Sequence, residues 1–420
     1  MTFSAGGDTT QLVRKRRGRE IAKRGLAAAI GIVAAAILVE AALRVAGFAR
    51  PVMLQPDPVL GTMLIPGLRV WQSREGRAWT ETNSHGWRDR ERPTQKPTGA
   101  YRIAVLGDSF VQASEVPFEE SLCPRLEYSL RAVAPNRSDM PAQRVEVLCF
   151  GVSGYGTAQE LLAFRHHVAR FQPDFVVLLF YPGNDVSDNK RSLSHPERLS
   201  PYFTLDGSEL VPDNSFRQAS AYRARMSLAG RVYYTALKHS RLAQLIQYVR
   251  RQGLRGEPPR TLFGIGDDPE VYRPPRVDDW SEAWRVTEAL IRQLHREVVG
   301  AGAEFGVAIA ATPAQLFPDD AIRRAAMREQ DLDDLSYPER RIQALGNDAG
   351  FPVLALQGPM RAVADRGVYL HGFGNTQLGL GHWNADGHRI AAQGIANWLI
   401  DLWRRGGVAG PTVTRHDGQR

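Results

Sequence analysis

Four short blocks hold residues whose types and order suit the transfer of an acyl group. They are Gly107-Asp108-Ser109-Phe110, Val152-Ser153-Gly154, Gly183-Asn184-Asp185 and His382-Trp383-Asn384. A serine offers a nucleophile and a histidine a base. A glycine N–H and an asparagine amide offer hydrogen bonds to the oxyanion that forms when an ester carbonyl is attacked. Any one block is common, and Gly-Asp-Ser alone reads equally well as a strand-to-helix corner. The set is singled out by its order and by the position of its members at the ends of apolar runs.

Those runs are the elements that must position the chemistry. Residues 103–106, 145–150 and 175–180 are short, continuous and apolar, as expected of strands buried on both faces. Ser109 leaves the first, the 151–156 loop with Gly154 leaves the second, and Asn184 leaves the third. Residues 158–171 between them repeat apolar positions at three- and four-residue spacing, a helical pattern. Further on, the pattern predicts helices over 281–299 and 387–403 and strands over 305–310 and 351–356. Strands alternating with helices predict an α/β fold with a doubly wound parallel sheet covered on both faces. In such a sheet ligands bind outside the carboxyl ends of the strands, where Ser109, Gly154 and Asn184 all fall.

The blocks and their order resemble the SGNH (GDSL-type) hydrolases, over roughly residues 100–403. The resemblance implies a flavodoxin-like three-layer sandwich and hydrolysis of an ester. It implies Ser109 as nucleophile and His382 as general base, with an oxyanion hole made by Ser109, Gly154 and the Asn184 side chain. One position departs from the family, which carries an Asp three residues before the His; here that residue is Gly379. The third member of the triad is then absent, replaced by a backbone carbonyl, or recruited from elsewhere. Leu380 and Gly381 bring backbone but no charge, so the expectation is a carbonyl of the 376–381 loop on His382. Asp386 is the candidate acid nearest in sequence, although the first turn of the final helix suits it as well. Asn384 reads as the N-cap of that helix and Asp108 as the organiser of its turn. His166, His167 and His388 read as structural or surface residues. No His/Cys/Asp cluster has metal-ligand spacing, so neither metal nor cofactor is expected.

The chain has 420 residues and a net charge of +8. Residues 1–24 carry seven basic residues against Asp8 and Glu20, a net +5, which leaves only +3 on the other 396. The globular part is nearly balanced and has no basic patch interleaved with aromatics, so nucleic acid is not an expected partner. The basic stretch instead precedes 15 uncharged residues, 25–39, and the apolar pattern runs on past Glu40 to Leu43. Glu40 and Arg44 are four apart and can pair at the far interface. Residues 25–47 are therefore expected to anchor the protein in a membrane; a cleaved signal peptide is the rival reading. The positive flank is expected to keep the N-terminus cytoplasmic and to put the catalytic domain outside a bacterial inner membrane, in the periplasm if the bacterium is Gram-negative.

Residues 48–100 link anchor to domain. Trp71, Trp79 and Trp87 in this stretch predict an ordered strap packed on the domain, since indoles are costly to leave in water. Residues 186–280 form an insertion, with 222–251 of helical pattern, leaving the sheet edge that carries the candidate site. The insertion is thus a candidate lid or substrate wall. The tail 404–420 is expected to be disordered. Cys123 and Cys149 fall on neighbouring elements, as a disulfide or as two buried thiols. The function these observations favour is an anchored serine esterase acting on an envelope-side acyl ester, such as an acetylated glycan or lipid. An O-acyltransferase on the same scaffold and a non-catalytic polymer-binding module are the alternatives.

Overall fold

The computed structural model describes residues 8–48, 50, 52–133, 144–195, 198–252, 262–263 and 268–406. It begins with a 38-residue helix, α1 (Asp8–Val45), whose Arg19–Val45 stretch is long and apolar enough to cross a membrane. Two antiparallel hairpins follow, β1 (Leu54–Asp57) with β2 (Gly61–Leu64) and β3 (Arg69–Gln72) with β4 (Ala78–Glu81). Next come β5 (Ala100–Gly107), α2 (Ser109–Gln112), α3 (Leu122–Val133) and β6 (Arg144–Gly151). They lead to α4 (Thr157–Ala163), β7 (Phe175–Phe180) and α5 (Pro182–Asp185). The insertion after Asn184 holds the hairpin β8 (Tyr202–Asp206) and β9 (Glu209–Asp213). Three helices follow in it, α6 (Ser220–Met226), α7 (Leu228–His239) and α8 (Arg241–Gln252). The chain then resumes with α9 (Asp278–Gly300), β10 (Glu304–Ile309), α10 (Pro313–Leu316), α11 (Asp320–Glu329) and α12 (Tyr337–Ala349). It ends with β11 (Val353–Ala355), α13 (Gln357–Ala364) and α14 (Ala385–Arg404).

The central sheet is parallel throughout, in the order β11-β10-β7-β5-β6. Counting its strands in chain order, this is the 2-1-3-4-5 winding of a flavodoxin-like sheet, whose direction of progression reverses between β5 and β7. The fold is the expected α/β sandwich. Every residue of β5 and β7 is buried, because one face packs Ala104, Leu106, Val176 and Leu178 under α4 and α9. The other face packs Ile103, Val105, Val177 and Leu179 under α3 and α14. Burial on both sides is why residues 103–106 of β5 and 175–180 of β7 are apolar runs with no polar alternation, while the buried Arg102 at the start of β5 is paired with Glu146.

The chain divides into two compact units, Met1–Val52 with Val232–Gly256, and Met53–Arg231 with Glu257–Arg420. The two N-terminal hairpins thus belong to the unit that holds the sheet. Within it Trp87 is fully buried against Phe150, whereas Trp79 pairs with Trp71 and stays 40% exposed. The helix over 158–171 is α-helical only to Ala163 and then passes into a π turn, Phe164–Val168. A disulfide between Cys123 and Cys149 ties α3 to β6. The stretch 222–251 is helical as its pattern suggests, in three successive helices. Of the tail, α14 reaches Arg404, and residues 407–420 lie outside the described residues.

Candidate active site

The site lies at the carboxyl end of the sheet, beside the point where its winding reverses. β5 ends at Gly107, and the Asp108 side chain accepts a hydrogen bond from the Phe110 N–H at 2.9 Å, capping α2. Ser109 is the first residue of that helix. Its Oγ lies 2.9 Å from Nε2 of His382, which arrives on the loop before α14. The Asn384 side chain caps α14 through the N–H groups of Asp386 and Gly387, as its position in the sequence suggests. The His382 ring packs on Phe110 at 5.3 Å between centroids, and Phe110 packs on Trp383 at 4.9 Å.

The other side of the imidazole departs from the sequence reading. No loop carbonyl holds His382 Nδ1; the carboxylate of Glu75 does, at 2.8 Å, while its second oxygen accepts from the His382 backbone N–H at 2.8 Å. The Gly381 carbonyl is already engaged, 2.6 Å from Nδ1 of the buried His371. Asp386, the candidate acid, is paired instead with Arg389 on the next turn of α14. Sequence reasoning missed Glu75 because it sits in the strap, 307 positions from His382. The one signal was the unfilled family position at Gly379, which left an acid recruited from elsewhere among the alternatives.

Glu75 is delivered by the tip of the β3–β4 hairpin. The tip is pinned on one side by Asn375, whose amide donates to the Ser73 and Gly76 carbonyls at 3.1 Å each. On the other side Thr80 donates to the Ser114 carbonyl. Gly76 has φ +66°, and a Cβ there would lie 2.0 Å from the Glu115 carbonyl oxygen, so only glycine lets the tip approach so closely.

The oxyanion candidates follow adjacent strands: Ser109 follows β5, Gly154 follows β6 and Asn184 lies in the turn after β7. Gly154 is left-handed, with φ +80°. Its carbonyl accepts from Nη1 of Arg198 at 3.0 Å, and the same guanidinium forms an ion pair with Asp188. Asp188 in turn accepts from the Asn184 amide nitrogen at 3.1 Å. One cation of the insertion thus braces both Gly154 and Asn184.

The electrostatics around His382 are acidic. Burial opposes its protonation, but the carboxylates of Glu115, Glu75 and Asp108 outweigh that and lift its pKa to about 9. Burial also raises Glu115 above the ordinary carboxylate range and brings Asp108 to about 6. His371 is pulled down to about 4 by burial and is therefore neutral, a structural neighbour rather than a second base. His388 is buried against Trp383, and the half-buried His167 packs edge-on to Trp87. Among the described residues no group of three or more His, Cys, Asp or Glu is arranged to hold a metal ion.

No protein-family model matches this chain, and no curated protein does. Solved structures superpose on it loosely. One is the acetyl xylan esterase AlAXEase, with 14% identity over 71% of this chain and 99% of that one, at a TM-score of 0.36. Another is LAE5, an α/β hydrolase enzyme from the metagenome of Lake Arreo, Spain, with 12% identity, coverages of 71% and 96% and a TM-score of 0.35. A third is a putative lipolytic protein of the G-D-S-L family from Desulfitobacterium hafniense DCB-2, with 10% identity, coverages of 70% and 98% and a TM-score of 0.32. At such scores the likenesses add nothing to the strand order and hydrogen bonds just described.

Proposed function

We propose that this protein is an ester hydrolase of the SGNH (GDSL) type, anchored in a membrane by residues 25–47, with Ser109 as nucleophile, His382 as base and Glu75 as acid. One observation carries the proposal: His382 is held between Glu75 at Nδ1 and Ser109 at Nε2. That pairing fixes the tautomer with its proton on Nδ1 and leaves Nε2 to take the Ser109 proton as Oγ attacks the acyl carbon. Negative charge then grows on the carbonyl oxygen, where the backbone N–H groups of Ser109 and Gly154 and the Asn184 amide receive it. His382 returns the proton to the departing alcohol. Water, activated by the same imidazole, releases the acid and frees Ser109.

The substrate class that fits an anchored enzyme with its domain outside the cytoplasm is an acylated glycan or lipid of the envelope. The test is covalent. A fluorophosphonate should label the detergent-solubilised full chain at Ser109, and Ser109→Ala should lose both label and hydrolysis of short-chain aryl esters. Glu75→Gln should keep the fold and lose about 10⁴-fold in kcat, while Asp386→Asn leaves turnover unchanged. Hydrolysis that persists in Ser109→Ala refutes the nucleophile, and full turnover in Glu75→Gln refutes the acid.

A further inference from the structure

The unit formed by Met1–Val52 and Val232–Gly256 contains a joint that the ester chemistry does not use. Glu40 stands near the end of the apolar stretch of α1, a place where a lone carboxylate would be costly. It is fully engaged by a segment some 200 residues later in the chain. Its two oxygens accept from the backbone N–H groups of Arg241 and Leu242 at 2.9 and 2.8 Å and from the Ser240 hydroxyl at 2.9 Å. These are the orphan donors at the start of α8, so an acid of the span caps a helix of the insertion. Arg44 completes the joint by donating to Glu40 and to the His239 carbonyl. Farther along, the Gln244 side chain accepts from the Arg50 N–H, and Tyr248 meets Phe48 and the Arg50 guanidinium.

These contacts set the height of α8. Arg241 is level with Glu40, and Tyr248 is level with the chain just beyond Val45, where the apolar stretch stops. Residues 241, 244 and 248 face α1. A second stripe, Leu242, Leu245, Ile246 and Val249, recurs at three- and four-residue spacing about a quarter-turn away. Its members Ile246 and Val249 are 60% and 61% exposed. Residues 232–256 also carry Lys238, Arg241, Arg250, Arg251 and Arg255 and no Asp or Glu.

We infer that α8 is a second membrane contact, laying its Leu242–Val249 stripe into the headgroup and upper acyl region of an anionic bilayer on the side where α1 emerges. The inference rests on the reading of residues 25–47 as an anchor. Three features select lipid as the occupant. The stripe lies at the height of the last turns of the span, it is apolar in a segment whose charged residues are all basic, and its helix is fastened to the span by the Glu40 cap. That combination defines an interfacial amphipathic helix, and basic residues without acids draw anionic headgroups.

The experiment places an environment-sensitive dye on single added cysteines of the full chain, at Ile246→Cys, Val249→Cys, Gln247→Cys and Ile32→Cys. The protein is reconstituted without reductant in phosphatidylethanolamine–phosphatidylglycerol vesicles with brominated acyl chains. Fluorophosphonate labelling of Ser109 at the parent level certifies each variant as folded. The expected result is strong quenching with a blue shift at 32, 246 and 249, and several-fold weaker quenching at 247. Quenching at 32 with water-like emission at 246 and 249 overturns the inference and leaves the anchor standing. Shielding at 246 and 249 without lipid quenching, with cross-linking between copies, assigns the stripe to a second copy and also overturns it. No quenching at 32 removes the anchor and the inference together. A parent chain that quenches as expected but never labels at Ser109 removes the esterase reading alone.

Discussion

In the proposed mechanism His382 is a general base and works only when neutral, whereas its surroundings favour the charged form. With its pKa near 9 rather than the ordinary value of about 6.5, the imidazole is protonated over most of the neutral range. Activity as a base therefore rises with pH, and the acid limb of kcat/KM should lie well above pH 6.5, towards 9. Glu115 is the foremost of the charges that cause the shift, and it does not touch the imidazole. Removing its charge in Glu115→Gln lowers the His382 pKa, so the limb should move to lower pH while the plateau rate stays near that of the parent. A profile whose limb lies at 6.5 in the parent, or one that Glu115→Gln does not move, contradicts this account. Glu75→Gln should act differently, lowering the plateau itself, because it removes the partner that fixes the tautomer.

Among the elements, the β3–β4 hairpin has the most demanding task, since its tip must bring Glu75 to His382. Gly76→Ala puts a methyl group against the Glu115 carbonyl at a backbone angle that alanine resists. The tip should lift, and kcat should fall towards that of Glu75→Gln, while the thermal midpoint drops by only a few degrees. Asn375→Ala, which frees the two carbonyls of the tip, should reproduce a smaller part of the loss. Equal turnover in Gly76→Ala and the parent would show that the tip is not what sets the position of Glu75. The same hairpin marks how far the sequence can be read. β5, β6 and β7 announce themselves because burial on both faces leaves them mostly Val, Leu, Ile, Phe and Ala along their central stretches, and the blocks at their ends follow from that register. The cap of α14 by Asn384 is legible too, being local. Glu75 belongs to no pattern of its own neighbourhood. Ser73-Arg74-Glu75-Gly76 is an ordinary polar turn, and its value exists only in the tertiary contact with the loop before α14. The break of 222–251 into three helices escapes for a related reason, because the Glu40 cap that starts α8 comes from a distant helix.

At the scale of the whole molecule, the Cys123–Cys149 bond fastens α3 to the edge strand β6 across a sequence separation of 26. Loop-closure entropy over that span is worth about 3–4 kcal/mol. The pair Cys123→Ser with Cys149→Ser should therefore unfold at a lower denaturant midpoint than the oxidised parent. Reductant should bring the parent to the same midpoint, and coincident midpoints for oxidised and reduced parent would mean that the bond contributes nothing. The separation of Glu75 from His382 by 307 positions bears on something else, the order in which the protein is made. The ribosome releases Glu75 early, Ser109 soon after, and His382 only when nearly all of the chain has emerged. Until then the growing polypeptide holds Ser109 without the imidazole that lies 2.9 Å from its Oγ in the folded chain. Under the proposed mechanism, hydrolysis would begin only once the chain is complete, and a product truncated before residue 382 would lack the base.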